Sequence, residues 1–405
     1  MARKSFDGHR QTGTGRLLWR LVLATAFTST APVPLAAQSS TIFVNTVADL
    51  YTAVNEPTNA GATVVLAPGV YVLSATDATG ASRPNGGRLE LQHDMSMQGV
   101  EGDRGLVQID GSQLTAFSAA PFQGRTGVIR VGRGTNRIES LTVVGNRNAA
   151  ATIDTDLPDS YSESATAALI IIRHVVGTAG GTASGGLDVR NAGGDAASVM
   201  SGRQLTAVVS DNDFSGGVFG IRIANHVSVT GGQIDVKMRG NLWHHNTRGW
   251  GCLVLNLNSN SSTIHVRSDG DRFEYNQIGC AIYGGRTTTA SSMANENAVT
   301  FDAHGSAFQH DTAGGVFIAG GYAVLRPNSA SDNNVAVALW GCEFDDHQPY
   351  EIRAYGAVLE APPGIAGTDN TVTIALHGVS KQIEVDETPS VPDDPTGTNT
   401  VTVIR

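Results

Sequence analysis

Lys237, Arg267 and Asp302 follow one another at intervals of 30 and 35 residues, each at the same place in a recurring stretch of alternating apolar residues. Two residues further on in the same stretches stand Arg239, Asp269 and His304, followed in the next copy by Trp340, and two residues before them stand Asp235, His265 and Thr300. Stacked strands lie about 4.8 Å apart, so these columns bring ionisable side chains within reach of one another. Two chemistries could use them. A lyase removes the proton beside a uronate carboxylate and needs a base and a cation to hold the developing charge. In that reading Lys237 or Arg267 is the base, Arg239 neutralises the carboxylate, and Asp269 with Asp302 holds Ca²⁺. A glycoside hydrolase needs two carboxyl groups instead. Asp269 and Asp302 lie one strand and two residues apart, roughly 8 Å between backbones, inside the range of about 6.5 to 9.5 Å for inverting hydrolysis. His265 and His304 complete the substrate-binding set, with Trp340 and the loop residue Trp250 as stacking platforms for sugar rings. Alternating charges also stabilise neighbouring strands by cross-strand pairing alone, so a purely structural role for the same columns stays open.

The elements that position these residues form a repeat. The pattern is LTAVVSDNDF from Leu205, IDVKMRGNLW from Ile234, IHVRSDGDRF from Ile264, VTFDAHGSAF from Val299, VAVALWGCEF from Val335 and VTIALHGVSK from Val372, with VTVIR from Val401 as a partial copy. Spacings of 29 to 37 residues fall in the window of about 20 to 50 that marks solenoids. One repeat is one coil. Ile234, Val236, Met238 and their counterparts face inward, and Phe214, Trp243, Phe273, Phe308 and Phe344 form an aromatic column in the core. Asn246, Asn276 and Asp311, three residues past each aromatic, make a structural turn ladder. Val47, Leu50, Tyr51 and Val54 have helical spacing and predict a short helix capping the first coil. Segments 148–164 and 178–202 lack a clear period and are expected to be loops or insertions on the coils, although GLDVRN from Gly186 reads as a short strand, and 387–397 a connector.

Composition agrees with many short strands and tight turns: glycine is 48 of 405 residues, well above the usual share of about 7%. Five basic residues precede an apolar stretch from Leu21 to Phe27 and small residues up to Ala37, so residues 1–37 are expected to be a signal peptide. The apolar stretch is shorter than the ~20 residues of a membrane span, and no other segment could cross a bilayer. Without those residues the chain keeps 22 basic against 36 acidic side chains, which excludes a nucleic-acid partner. Three cysteines fit no zinc spacing. Cys252 and Cys280 begin the second strand of adjacent coils and should stack as a buried thiol pair, a bridge between them being the alternative, while Cys342 stays free.

The cap helix followed by Thr63–Tyr71, together with the coil repeats, resembles the right-handed parallel β-helix proteins of the pectin-lyase-like superfamily over residues 41 to 405. The resemblance implies an all-β, single-stranded right-handed solenoid occupying 38–405, with regular coils from about 205 and a last partial coil at 398–405. It implies little about function, because the superfamily includes polysaccharide lyases, hydrolases, esterases, phage tailspikes and adhesins. The polygalacturonase-type signatures do not transfer. Arg222-Ile223-Ala224, Ala303-His304-Gly305 and Asp345-Asp346-His347 stand in the wrong order with the wrong identities.

The expectation is a secreted or cell-surface protein, periplasmic or extracellular, that binds an extracellular polysaccharide and, as a uronate lyase or glycoside hydrolase, cleaves it. The competing expectation is a non-catalytic adhesive or structural β-helix. An open final coil also suggests end-to-end self-association.

Overall fold

A period of two places alternate side chains on opposite faces of an extended strand, and strands make up nearly all the regular structure of the computed structural model. The structure describes residues 40–114, 127–146, 151–155, 167–181, 184–191, 200–201, 203–226, 229–288, 292–324, 330–346, 349–359, 367–379, 385–391 and 398–405. They belong to one unit, Ser39–Arg405. The expected signal peptide, residues 1–37, lies outside the described residues.

The chain winds as a parallel β-solenoid. Nineteen strands form one sheet, here the front sheet, and ten a second, the rear sheet. A typical coil runs from a long front strand, Gln233–Arg239, through a corner to a short front strand, Leu242–His244, and through a second corner to the rear strand Trp250–Leu257. A third turn leads to the next long strand, Thr263–Asp269. Successive coils pair in parallel without slippage in the front sheet: Ile234, Ile264, Val299, Val335 and Val372 stand in one column. These five are 0–2% exposed, and each contributes about 1.5–3 kcal/mol by leaving water. The predicted aromatic column is present in register from Phe214 to Phe344. Its rings stack at 5.5 Å between Phe214 and Trp243, 4.9 Å between Phe273 and Phe308, and 5.0 Å between Phe308 and Phe344.

The cap helix spans Val47–Asn55, with the Thr46 hydroxyl accepting from the Asp49 N–H at 3.1 Å at its start. Leu50, Tyr51, Ala53 and Val54 are buried.

Corners hold polar ladders. Asn246 Nδ2 donates to Asn276 Oδ1 at 2.9 Å, and the Asn276 N–H donates to Asp311 Oδ1 at 2.9 Å, as the sequence predicts. Two further ladders were not foreseen. One runs through Asn212, Asn241, Asp271 and Ser306, the other through Asn297, Asn333, Asn370 and Asn399. All answer one need: where a strand ends and the chain turns, backbone groups lose their ladder partners and an inward amide, carboxyl or hydroxyl replaces them.

Three expectations need correction. Segments 148–164 and 178–202 are not loops throughout, for Ala151–Asp154 is a strand of the rear sheet, and so is Gly185–Asn191, most of which the sequence reads as the short strand Gly186–Asn191. The expected connector at 387–397 contributes to a rear strand, Val385–Val391. Trp250 is no loop residue but the first residue of a rear strand.

Candidate functional site

Alternation sends Lys237, Arg267 and Asp302 outward from the front sheet, and the strand register aligns them as one column. The neighbouring columns are likewise in register: Arg239, Asp269, His304, Trp340 and His377 on one side, Asp235, His265 and Thr300 on the other. Eight of the nine expected site residues therefore share one face. Within it, His265 lies between two carboxylates, its Nδ1 3.5 Å from Asp235 Oδ2 and its Nε2 3.5 Å from Asp302 Oδ2. Arg267 Nε donates to Asp269 Oδ2 at 2.9 Å, and this bond holds the guanidinium pKa above its ordinary value. Arg267 is thus a fixed cation rather than a base. Lys237 and Arg239 are exposed and form no ion pair among the described residues. A shallow groove of about 350 Å³ runs along the face past Thr206, Asp235, His265 and Thr300.

The carboxylates do not form the expected Ca²⁺ site. Asp269 faces Arg267 and Asp302 faces His265, so this donor set does not fit an ion that takes about six to eight oxygen ligands. No group of three or more His, Cys, Asp or Glu side chains among the described residues is placed to hold a metal ion.

Trp340 is 43% exposed, but its flat faces are taken up by the column: His304 stacks on it at 5.9 Å and His377 at 3.8 Å. With a ring stacked on each side, Trp340 has no unoccupied flat face to offer a pyranose. Trp250 lies on the rear sheet, in register with Phe219 and Ile278, and packs beside Leu253, Leu255 and Tyr283. It is the one expected site residue that the structure separates from the others.

The rear sheet carries a second set of charges that the sequence reading missed. Glu90, Arg130, Asp154, Asp188 and Arg222 form an outward column over successive coils. Arg130, Asp154 and Asp188 are at most 2% exposed. Asp188 takes a bidentate pair of bonds from Arg222 and faces Arg190 at 3.3 Å, which also reaches Asp154 at 3.7 Å. Glu90 accepts from Arg130 at 3.1 Å and Arg133 at 2.9 Å. Later coils fill the same column with Leu253, Ala281 and Phe317. The only trace in the sequence is the run Asp188-Val189-Arg190, whose charges alternate with an apolar residue.

No family model matches the chain and no curated protein matches it. Among solved structures, the Azotobacter vinelandii mannuronan C-5 epimerase AlgE6 A-module is 16% identical, with a TM-score of 0.39, over 88% of this chain and 93% of its own. The Agl-KA catalytic domain is 12% identical with a TM-score of 0.42, over 92% and 69%. A mannuronic acid specific polysaccharide family 6 lyase from human gut microbiota is 12% identical with a TM-score of 0.29, over 85% and 87%. Likeness at this level carries no argument about activity. What this chain shares with the pectin-lyase-like proteins is the parallel β-helix fold, visible in its own strand register.

Proposed function

We propose that the protein is exported, with residues 1–37 removed, and binds an acidic polysaccharide along the outward face of the front sheet. One observation carries this reading: Lys237 and Arg239 point outward from a single strand, exposed and without an ion-pair partner among the described residues, in a chain of net charge −10. An acidic protein that keeps two adjacent cations unpaired attracts anions there while repelling them elsewhere. The face around them is regular and extends across several coils, which suits a linear polymer better than a compact ligand. Arg267, His265 and the groove past Asp235 lie on the same face and offer further polar contacts.

The test is retention of the purified protein on immobilised polygalacturonate, alginate and a neutral glucan. Retention on the acidic polymers, weakened by salt, is expected. The double variant Lys237→Ala/Arg239→Ala should bind at least tenfold more weakly while melting at the same temperature. Unchanged affinity in that variant would remove the site from this face. Absence of retention on any glycan would favour the adhesive or structural alternative.

A further inference from the structure

Charge divides the front face lengthwise. Across successive coils the two outward columns at the strand starts read Gln204, Gln233, Thr263, Ala298 and Thr206, Asp235, His265, Thr300, with no lysine or arginine in either. The two columns at the strand ends hold Lys237 and Arg267, and Arg239 with Arg173 two coils before it, all exposed. The carboxylates among these cations, Asp269 and Asp302, face Arg267 and His265. A strand rises about 3.3 Å per residue, which puts Arg239 about 13 Å from Asp235 along their shared strand. One sugar ring cannot touch both, whereas neighbouring rings of one polymer can.

The groove of about 350 Å³ lies on the side without cations, against Thr206, Gln233, Asp235, Thr263, His265 and Thr300. Small-ligand sites measure about 300–1,000 Å³, so it has room for a sugar ring. Asp235 is the carboxylate in its lining, and its side chain is 44% exposed. Its Oδ1 bonds to nothing among the described residues, and its Oδ2 has His265 at 3.5 Å, the far limit of a hydrogen bond. Asp235 is therefore an acceptor with spare capacity, set among hydroxyls and amides. A carboxylate brought into the groove meets like charge. A ring seated there must bring hydroxyl donors and no charge of its own.

We infer that the ligand is a heteropolysaccharide in which uncharged sugars accompany uronates, with the Asp235 groove as the subsite for the uncharged ring and Lys237 and Arg239 holding the carboxylate of its neighbour. The inference rests on the acidic-polysaccharide reading above and narrows its ligand class. Asp235 determines the specificity: it accepts from the hydroxyls of an uncharged ring and repels a uronate in the same place. A polymer with a carboxylate on every ring brings charge to Asp235 whenever a neighbouring ring reaches the cations. An uncharged ring in the backbone or on a branch avoids this, and both offer the groove the same chemistry.

The full chain is titrated with hyaluronate, whose uronates alternate with an uncharged sugar, with xanthan, whose uronates stand on branches of a neutral backbone, and with polygalacturonate, charged on every ring. Hyaluronate or xanthan is expected to bind about tenfold or more tightly per uronate than polygalacturonate. Tighter binding of hyaluronate puts the uncharged ring in the backbone, and tighter binding of xanthan puts it near a branch point. Asp235→Asn keeps the shape of the side chain and removes its charge. This variant is expected to gain affinity for polygalacturonate and lose it for the preferred heteropolymer, so that most of the selectivity disappears. Asp235→Ala, which removes the acceptor altogether, should weaken heteropolymer binding further. Polygalacturonate bound as tightly as both heteropolymers overturns the inference and leaves the acidic-polysaccharide reading intact. Selectivity that survives undiminished in Asp235→Asn also overturns it. Binding to none of the three polymers overturns both.

Discussion

Asp311 continues the corner ladder of Asn276 with a carboxyl where an amide would serve: the Asn276 N–H donates to its Oδ1 at 2.9 Å, and the residue is 1% exposed. Burial pushes its pKa up to about 8, and burial likewise pushes Asp271, in the other corner ladder, up to about 7. Both ionise near 3.8 in the unfolded chain. Folding therefore binds these protons more tightly than unfolding does, so the stability they confer is complete below about pH 4 and is lost as pH rises towards 7 and 8. Asp311→Asn keeps the acceptor and removes the ionisation. Since each pH unit between the two ionisations is worth about 1.4 kcal/mol, the variant should be more stable than the parent by a few kcal/mol at pH 8 and equal to it at pH 4. Thermal melts at the two pH values check this, and an equal difference at both would contradict it.

Trp243 is the one indole in a column otherwise made of phenylalanine, fully buried, with its Nε1–H lacking a hydrogen-bond partner among the described residues. A buried unsatisfied donor costs about 1–3 kcal/mol, which offsets much of the packing gained from the larger ring. Trp243→Phe should therefore change stability by less than about 1.5 kcal/mol, whereas Trp243→Ala should cost about 3–5 kcal/mol. Urea titrations of both variants decide it. A large loss in Trp243→Phe would mean that the indole is satisfied.

Alternation made the front face legible because only one of its sides is buried. The column Lys237, Arg267, Asp302 could be written from spacing alone and stands in register in the structure. What spacing could not supply was who pairs with whom: Arg267 turns along its own strand to Asp269, and His265 reaches across two strand boundaries. The rear sheet was opaque for the opposite reason. All seven residues of Gly185–Asn191 are buried, and Leu253, Val254 and Leu255 are apolar on both faces, so no period of two remains. The corner residues His245, Tyr275 and His310 share neither size nor charge with Gly216. Their kinship is conformational, and a one-dimensional pattern points instead to Asn246, Asn276 and Asp311, which follow them.

Asp188 and Asp269 are both paired with arginine, but in different media. Asp188 is fully buried between Arg190 and Arg222, whereas the Asp269–Arg267 pair is open to solvent. Asp188→Asn leaves two guanidinium groups facing each other without their shared anion, and removing one partner of a buried pair costs about 3–5 kcal/mol. Asp269→Asn meets water and salt screening instead, so its melting temperature should stay close to that of the parent. Parallel melts of the two variants test the contrast. Equal, small losses would show that water reaches the rear column.

Cys252 and Cys280 stand opposite one another in register on adjacent rear strands, both fully buried and both free. Burial pushes the Cys280 thiol well up, which suppresses the thiolate that oxidation and labelling require. Cys342 is also free and buried, with its thiol directed at the Ala303 carbonyl 3.5 Å away. The native protein should therefore resist a thiol reagent, and the denatured protein should release three thiols without prior reduction. Reductant should leave the melting temperature unchanged, because there is no covalent link to remove. A single titratable thiol after denaturation, restored to three by reductant, would mean that the pair oxidises when the chain folds under oxidising conditions.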